Sequence, residues 1–276
     1  MVIKTVVSVI AYLVLAPFVG GFLTGWGRKI LAGAQGKKGH SVIQPLYDVK
    51  KLLGKKTDSD KYIHDYYVKI FLLFVIISGA AFFAGADMLF VILAFLVADV
   101  FFITASYTSN SKYAQMGAEH ELVNILVSSP MVLIGAVGFY MYCGSMNIRD
   151  ILMGSFMPVF PLIGIFIGVA VLFVIRLKKS SFGPETYGFS GKTLAYTEIG
   201  RWYGTVTAAG FIFLFFSNGK FWGYLIGVAA VVIVYSVCVL IAGSLSDMKW
   251  KTAVKAAWII AVVFGIINLF MLYVTM

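Results

Sequence analysis

The stretch Arg28–Leu53 reads RKILAGAQGKKGHSVIQPLYDVKKLL and is the first long polar interval in an otherwise hydrophobic chain. It holds six Lys or Arg residues, a single acid (Asp48), one His, one Pro and two short apolar runs around a glycine-flanked turn. A simple connecting loop between two membrane spans does not need two apolar runs separated by a glycine-flanked turn. We therefore predict a helix–turn–helix-like docking loop within the polar segment 25–65.

Composition places the rest of the chain in a membrane. The 276 residues are 61% hydrophobic and only 12% charged, with a mean hydropathy of +0.93. A soluble domain of this size needs more polar surface than that. We predict an all-α polytopic membrane protein that forms one integral membrane domain over residues 1–276. The two cysteines, Cys143 and Cys238, lack CxxC spacing, so the sequence predicts no metal site, cluster or disulfide within the chain.

Eight apolar stretches have the length of a transmembrane helix, which needs about 20 residues. The sixth stretch is the least hydrophobic and contains Glu198 and Arg201. The eight predicted spans lie at about 2–24, 66–86, 88–109, 121–142, 156–175, 193–216, 221–242 and 253–275.

The distribution of basic residues predicts the orientation, because cytoplasmic loops are enriched in Lys and Arg. If 25–65 is cytoplasmic, eighteen of the 22 basic residues lie on that side, Arg201 lies in a span, and Lys4, Arg149 and Lys220 lie outside. This segregation by loop parity is not expected of a nucleic-acid-binding patch. We predict that both termini lie outside and that the cytoplasmic segments are 25–65, 110–120, 176–192 and 243–252.

Three motifs carry a family resemblance. The first motif comprises Arg28, Lys29, Gln35, Gly39, Gln44, Pro45, Asp48, Lys50, Lys51 and Leu52. The second motif is Ser109–Ala114 (SNSKYA) with Gly117-Ala118 after it, and the third is Ser190-Gly191 followed by Leu194-Ala195 and Glu198. On these motifs the chain resembles the NuoH-type subunit of respiratory complex I, and more closely the equivalent membrane subunit of energy-converting NiFe hydrogenases of the Ech and formate-hydrogenlyase type.

The chain also departs from that family at three places. It has Gly39-His40 where the family usually has Gly-Pro, and Ser129 where the fourth span usually carries a Glu. The segment 176–192 is short and basic, with Glu185 its only acid, where the family has a longer, acid-rich loop. These departures weaken the part of the complex I resemblance that would imply a quinone site, and they favour the hydrogenase branch of the family.

The resemblance implies a role as membrane anchor and coupling subunit of a multisubunit oxidoreductase in a prokaryotic cell membrane. It implies no redox centre in this chain, with the nickel–iron site and iron–sulfur clusters in partner subunits. The expected partners are peripheral hydrogenase large and small subunits, an iron–sulfur subunit and antiporter-like membrane subunits, with ferredoxin reached indirectly. The coupled ion, H⁺ or Na⁺, stays open. The residues expected to dock the partners are Arg28, Lys29, Gln35, Gln44, Pro45, Asp48, Lys50 and Lys51.

Ionisable groups inside membrane spans are costly and therefore indicate function. Asp99 lies near the middle of the third span, and Glu198 lies in the sixth, one helical turn before Arg201. Carboxylates linked through water provide a proton route through a bilayer. We predict that the proton or ion pathway uses Asp99, Glu121, Glu198, Glu119 and Arg201. Ser129, eight residues after Glu121 and near the same helical face, carries no charge but is able to bind water.

Structural alternatives accompany each of these acids. In the structural alternative, Asp99 forms a hydrogen bond to a neighbouring helix. Arg201 then neutralises the charge of Glu198, and the two form a buried ion pair. Glu119, with His120, suits a solvated helix start. Asp87 is predicted to be a cap or turn residue.

Three alternatives also remain for the chain as a whole. Its basic segment is able to attract anionic lipid head groups, although Gly39, Gln44-Pro45 and Asp48 favour a folded interface, with Asp48 expected to pair with Arg28 or Lys50 and Lys51. The chain as a whole also fits a complex I-type subunit at a quinone site. A non-catalytic membrane scaffold is the last alternative.

Overall fold

The computed structural model describes residues 2–55, 63–109, 111–154, 157–178, 186, 188–244, 255–256 and 258–275. Within these ranges the chain forms helices joined by short connections, with one isolated β-bridge between Asp87 and Asn147. The predicted all-α polytopic class is confirmed. The helices are α1 Val2–Ala34, α2 Gln44–Leu53, α3 Ile63–Ala84, α4 Met88–Tyr107, α5 Lys112–Cys143, α6 Ile148–Leu152, α7 Ile163–Lys178, α8 Gly191–Phe216, α9 Phe221–Ser244, a π-helical segment Ala261–Ile266 and α10 Ile267–Thr275.

Six helices in the described part of the chain are long and apolar enough to cross a membrane, namely α1, α3, α4, α5, α8 and α9. They coincide with six of the eight predicted spans. The other two predicted spans contain shorter helices: α7 has 16 residues, and the last apolar segment is Trp258–Val274. The protein is therefore a multi-pass membrane protein.

The helix α1 extends further than its hydropathy predicted. It continues to Ala34 instead of ending near residue 24, so Arg28 and Lys29 lie on its last turns. Polar residues such as Arg and Lys are good helix formers, so the end of an apolar run does not mark the end of the helix.

The helix α5 also begins earlier than predicted. It starts at Lys112, where the Ser111 hydroxyl accepts a hydrogen bond from the backbone amide of Ala114 at 3.4 Å. Glu119 and Glu121 therefore lie about two turns inside the helix. The interpretation of Glu119 as a helix-start residue is wrong, because the helix dipole acts mainly on the first turn.

Parts of the predicted polar segments lie outside the described residues. They include 56–62 in the first segment, Asn110 of the SNSKYA motif, 179–185 with Glu185, and 245–252 of the last predicted cytoplasmic segment.

The helix α8 is the central element, because it packs against α1, α2, α3, α7 and α9. The turn between α1 and α2 folds back closely onto α1: a Cβ at Gly25 would overlap the backbone carbonyl of Val42. The short helix α2 then lies on α8, with Val49 in a small apolar cluster around the buried Trp202. Through these contacts the predicted docking stretch packs against α8.

A tight hairpin joins α3 and α4. Gly85 adopts a left-handed conformation with a φ of 77°, which glycine tolerates better than other residues. The Asp87 side chain accepts a hydrogen bond from the backbone amide of Leu89 at 2.8 Å. The predicted capping role of Asp87 is confirmed.

Candidate functional site

The site begins with a buried ion pair on α8. Glu198 is only 4% exposed, and its Oε1 lies 3.4 Å from Nη1 of Arg201, one turn further along the helix. The guanidinium carbon of Arg201 lies 5.6 Å from the centroid of the Phe102 ring on α4, a distance typical of a cation–π contact. The pair is therefore held between two helices, with the Glu198 carboxylate buried and the Arg201 guanidinium partly exposed.

A cavity of about 260 Å³ opens beside this pair and is named here the first cavity. Asp99 reaches it from α4, Glu121 from α5, and Arg28 from α1, so that three predicted acids and two guanidinium groups border one space. Aromatic and aliphatic side chains form much of the remaining wall, including Phe71, Phe95, Phe102, Phe173, Val75 and Val239. The structure thus brings together residues that are up to 173 positions apart in sequence, from Arg28 to Arg201.

Two polar groups at the first cavity were missed by the sequence analysis. The buried Trp202 indole N–H has no hydrogen-bond partner among the described residues. The Tyr235 hydroxyl donates to the Leu23 carbonyl at 2.9 Å and joins α9 to α1. A buried donor without a partner is costly, so the Trp202 N–H is suited to a water molecule or another acceptor. In the sequence, Trp202 and Tyr235 are two aromatic residues among many in apolar spans, and nothing there indicates that their N–H and O–H groups lie at a cavity.

Asp99 occupies a special position because it also borders a second cavity. It is 7% exposed. This second cavity has a volume of about 120 Å³, and its walls come from α4, α5, α7 and α8. The hydroxyl-bearing residues of its lining are Ser128, Ser129 and Thr207. Ser129 therefore lies at the second cavity with Asp99, whereas Glu121 lies at the first.

The predicted docking stretch is connected to the first cavity through Arg28. Its Nη1 lies 3.4 Å from Oδ2 of Asp48 on α2, and the Gln44 amide donates to the other Asp48 oxygen at 3.2 Å. Of the pairings predicted for Asp48, the one with Arg28 is present. Pro45 is buried at the start of α2, where its fixed φ suits the first helical turn.

The other predicted docking residues lie on the surface at this end of the bundle. Lys29, Gln35, Lys50 and Lys51 are all exposed. Glu119 is also exposed and borders neither cavity. The structure thus groups Asp99, Glu121, Glu198 and Arg201 and leaves Glu119 apart.

Sequence analysis also missed Asp65, near the start of α3. It is 1% exposed, accepts a hydrogen bond from the Thr193 hydroxyl at 2.9 Å, and pairs with Nζ of Lys69 at 2.6 Å. It fixes α3 to the first turn of α8, immediately after the Ser190-Gly191 motif. The available signal was an acid four residues before a lysine at the edge of an apolar run, which is a favourable helical spacing.

No group of three His, Cys, Asp or Glu residues with a metal-binding arrangement occurs in the described part of the chain. The chemistry that this arrangement can support is proton exchange between carboxylates and water, with the guanidinium groups as fixed positive charges beside them.

Comparisons with known proteins agree with this architecture. The family model described as NADH dehydrogenase matches residues 6–273. A chain of the membrane-bound sulfane sulfur reductase (MBS), an archaeal respiratory membrane complex, superimposes with a TM-score of 0.82 and 19% sequence identity. The match covers 96% of this chain and 99% of that one. None of the curated protein sequences matches the chain significantly.

Proposed function

The chain belongs to the NADH dehydrogenase family, and from that premise we propose that it is the membrane anchor and coupling subunit of a ferredoxin-dependent, energy-converting NiFe hydrogenase. It would link hydrogen evolution or oxidation in a peripheral arm to movement of H⁺ or Na⁺ across a prokaryotic cell membrane. The sequence motifs support the hydrogenase branch, and the matched fold supports a subunit of this general type.

One observation carries the coupling role. Three carboxylates from three different helices meet at the first cavity, together with Arg28 and Arg201. Carboxylates in a low-dielectric space exchange protons readily when charged neighbours and water are within reach. In the proposed role, Glu121 and Glu198 take up a proton or bind a cation at the cavity, and Asp99 passes it to the interior of the bundle.

The ion pair between Arg28 and Asp48 would convey the state of the peripheral arm. Arg28 borders the first cavity while its partner Asp48 stands on α2 at the surface. A shift of α2 on partner binding or redox change would alter how strongly Arg28 is held by Asp48. The positive charge at the cavity would then move, and with it the balance of protonation among the three carboxylates.

The proposal assigns the redox chemistry to partner subunits. A peripheral large and small hydrogenase subunit with an iron–sulfur subunit would carry the nickel–iron site and the clusters. The exposed Lys29, Lys50 and Lys51 suit contact with acidic surfaces of that arm. Antiporter-like membrane subunits would pack against the lipid-facing helices and move the ions.

Copurification tests the assignment. The complex is extracted from native membranes through a tag on this chain, and its metals, flavin and subunits are analysed. A nickel-containing soluble subunit in stoichiometric amount, with ferredoxin-dependent hydrogen evolution, is the expected result. A nickel-free arm that reduces sulfane sulfur, the activity in the name of the matched archaeal complex, would contradict it. A flavin-containing arm that oxidises NADH would contradict it equally.

A quinone-site subunit is the second candidate, and one observation favours it. The first cavity is bordered by α1 and α8 and has several aromatic rings in its wall. Trp202 also lines it, and its indole N–H has no hydrogen-bond partner among the residues that the structure describes. Such a space is suited to a flat molecule with a hydrogen-bond acceptor. Lipid extraction of the purified complex decides between the two. Stoichiometric quinone that is lost in a Trp202→Phe variant would favour the quinone site.

A further inference from the structure

Of the residues that line the second cavity, the roles above use only Asp99. Most of the lining is apolar, but four polar side chains interrupt the wall: Asp99, Ser128, Ser129 and Thr207. A space of about 120 Å³ accommodates about four water molecules at roughly 30 Å³ each. A cavity keeps water when it is large enough and offers several polar partners, and this one meets both conditions.

The hydroxyl groups at this cavity are able to accept hydrogen bonds. Thr207 Oγ1 donates to the Tyr203 carbonyl at 3.0 Å and lies 3.5 Å from the Tyr12 hydroxyl, which leaves one of its two lone pairs as an acceptor. Ser128 Oγ donates to the Ile125 carbonyl at 3.4 Å. The Ser129 hydroxyl has no hydrogen-bond partner among the described residues, although it stands in the middle of a membrane helix.

The two cavities share part of their walls. Asp99, Phe95, Phe173 and Ala208 border both of them, and Asp99 is the only titratable residue that does so in the described part of the chain. The two phenylalanine rings make the rest of this shared wall apolar. Any proton that passes between the cavities by way of these shared residues must therefore use the Asp99 carboxylate.

The helix α5 provides a polar stripe between the same two spaces. Glu121 borders the first cavity and Ser128 the second. Asn124 lies between them at a spacing of three and four residues, which places all three on one helical face. The Asn124 carboxamide has no hydrogen-bond partner among the described residues and is half-buried.

We propose that the second cavity is a water-binding site, in which Ser128, Ser129, Thr207 and Asp99 hold a cluster of about four water molecules. The cluster solvates Asp99 from the side opposite to the first cavity. The presence of the water follows from the cavity itself, whereas its use in ion transfer rests on the proposed function.

Radiolytic footprinting of the intact membrane complex tests this site directly, because hydroxyl radicals formed from bound water oxidise the side chains next to it. The chain offers two buried methionines for comparison. Met88 is 2% exposed and borders the second cavity, whereas Met131 is 0% exposed and does not. Met88 is expected to be oxidised several-fold faster than Met131. Equal, slow oxidation of both would overturn the proposal.

A matched pair of variants completes the test. The double variant Ser129→Val and Thr207→Val removes two hydroxyls from the cavity, and it is expected to reduce Met88 oxidation to the level of Met131. Thr104→Val is the control, because Thr104 donates to the carbonyl four residues earlier at 2.9 Å, as Thr207 does, but on an exposed face. It is expected to leave Met88 oxidation unchanged. If the double variant also leaves it unchanged, the water reaching Met88 comes from elsewhere and the proposal fails.

The footprint and the proposed function fail separately. Oxidation of Met88 depends on bound water alone, whereas ion coupling depends on the carboxylates and the partner subunits. If the second cavity holds water but the complex moves no ions, the water site is supported and the coupling role is rejected. If the complex moves ions but the second cavity holds no water, the coupling role is supported and the water site is rejected.

Discussion

Arg28 on α1 and Asp48 on α2 lie 3.4 Å apart between Nη1 and Oδ2, and the two residues have different environments. Asp48 lies on α2, which also carries the exposed Lys50 and Lys51, whereas Arg28 borders the first cavity. The ion pair therefore connects the surface that is proposed to bind the peripheral arm with the carboxylates proposed to move ions.

The first prediction concerns this pair. Asp48→Asn keeps an acceptor for the Gln44 amide but removes the charge that holds Arg28. A partly exposed pair contributes about 0.2–1 kcal/mol, so the thermal stability of the complex should change little. Ion movement per hydrogen evolved should fall clearly in membrane vesicles. Lys220→Gln, which alters an exposed charge far from α2 and at neither cavity, is the control. Unchanged ion movement in Asp48→Asn would remove the pair from the coupling route.

The second prediction concerns the close approach of the α1–α2 turn. In Gly25→Ala the new Cβ meets the Val42 backbone carbonyl, and a backbone atom cannot rotate away as a side chain does. Overpacking of this kind costs about 1–3 kcal/mol, so the unfolding temperature of the detergent-solubilised protein should fall.

Gly33→Ala is the matched control for that variant. Gly33 lies in the same helix, and nothing stands within 4 Å of its added Cβ. Replacing a helical glycine by alanine at an open position gains about 0.5–1 kcal/mol. Opposite shifts of the two unfolding temperatures are expected, and a rise of the unfolding temperature in both variants would show that helix propensity, not the contact with Val42, decides the outcome.

The sequence was sufficient for the fold class because a membrane span requires a long apolar run, and six such runs became long helices. It was insufficient for helix ends, since Arg28 and Lys112 continue a helix without adding hydropathy. The way in which the spans pack around one another was also not predictable from the sequence. A span that is apolar on all sides does not indicate which face meets its neighbours, so the convergence of Asp99, Glu121 and Glu198 required the structure.

Asp65 shows the same limit for a single residue. Its partner Thr193 lies 128 positions away in sequence, and no local pattern indicates such a contact. From sequence alone the residue falls in the polar segment ahead of a span, where an acid is expected to be solvated.

The third prediction uses that contact. Thr193→Val keeps the shape of the side chain but removes the hydroxyl that donates to Asp65, which is 1% exposed. Loss of a donor to a buried acceptor costs about 1–3 kcal/mol. Thr104→Val serves as the control, since its hydroxyl only returns to its own helix. A clear fall in unfolding temperature for Thr193→Val alone is expected. Equal values for the two variants would show that the contact contributes little to stability.

The last prediction concerns Asp99 and Glu198. Asp99→Asn and Glu198→Gln preserve size and hydrogen bonding but cannot exchange a proton. A positioned proton-transfer group contributes on the order of 100-fold or more to a rate. Ion uptake into vesicles driven by the complex should therefore fall by about that factor, while subunit composition stays intact. Glu198→Gln is also expected to loosen Arg201, which keeps its contact with Phe102 but loses its 3.4 Å ion pair.

Asp150→Asn provides the control acid for these variants. Asp150 is exposed on α6, where it accepts a hydrogen bond from Ser145 at 2.6 Å, and it borders neither cavity. It should leave ion uptake unchanged, because a solvated carboxylate at a helix end is not part of a buried route. Full ion uptake in both Asp99→Asn and Glu198→Gln, with the complex assembled, would instead favour the scaffold. Ion flow would then pass entirely through the partner subunits.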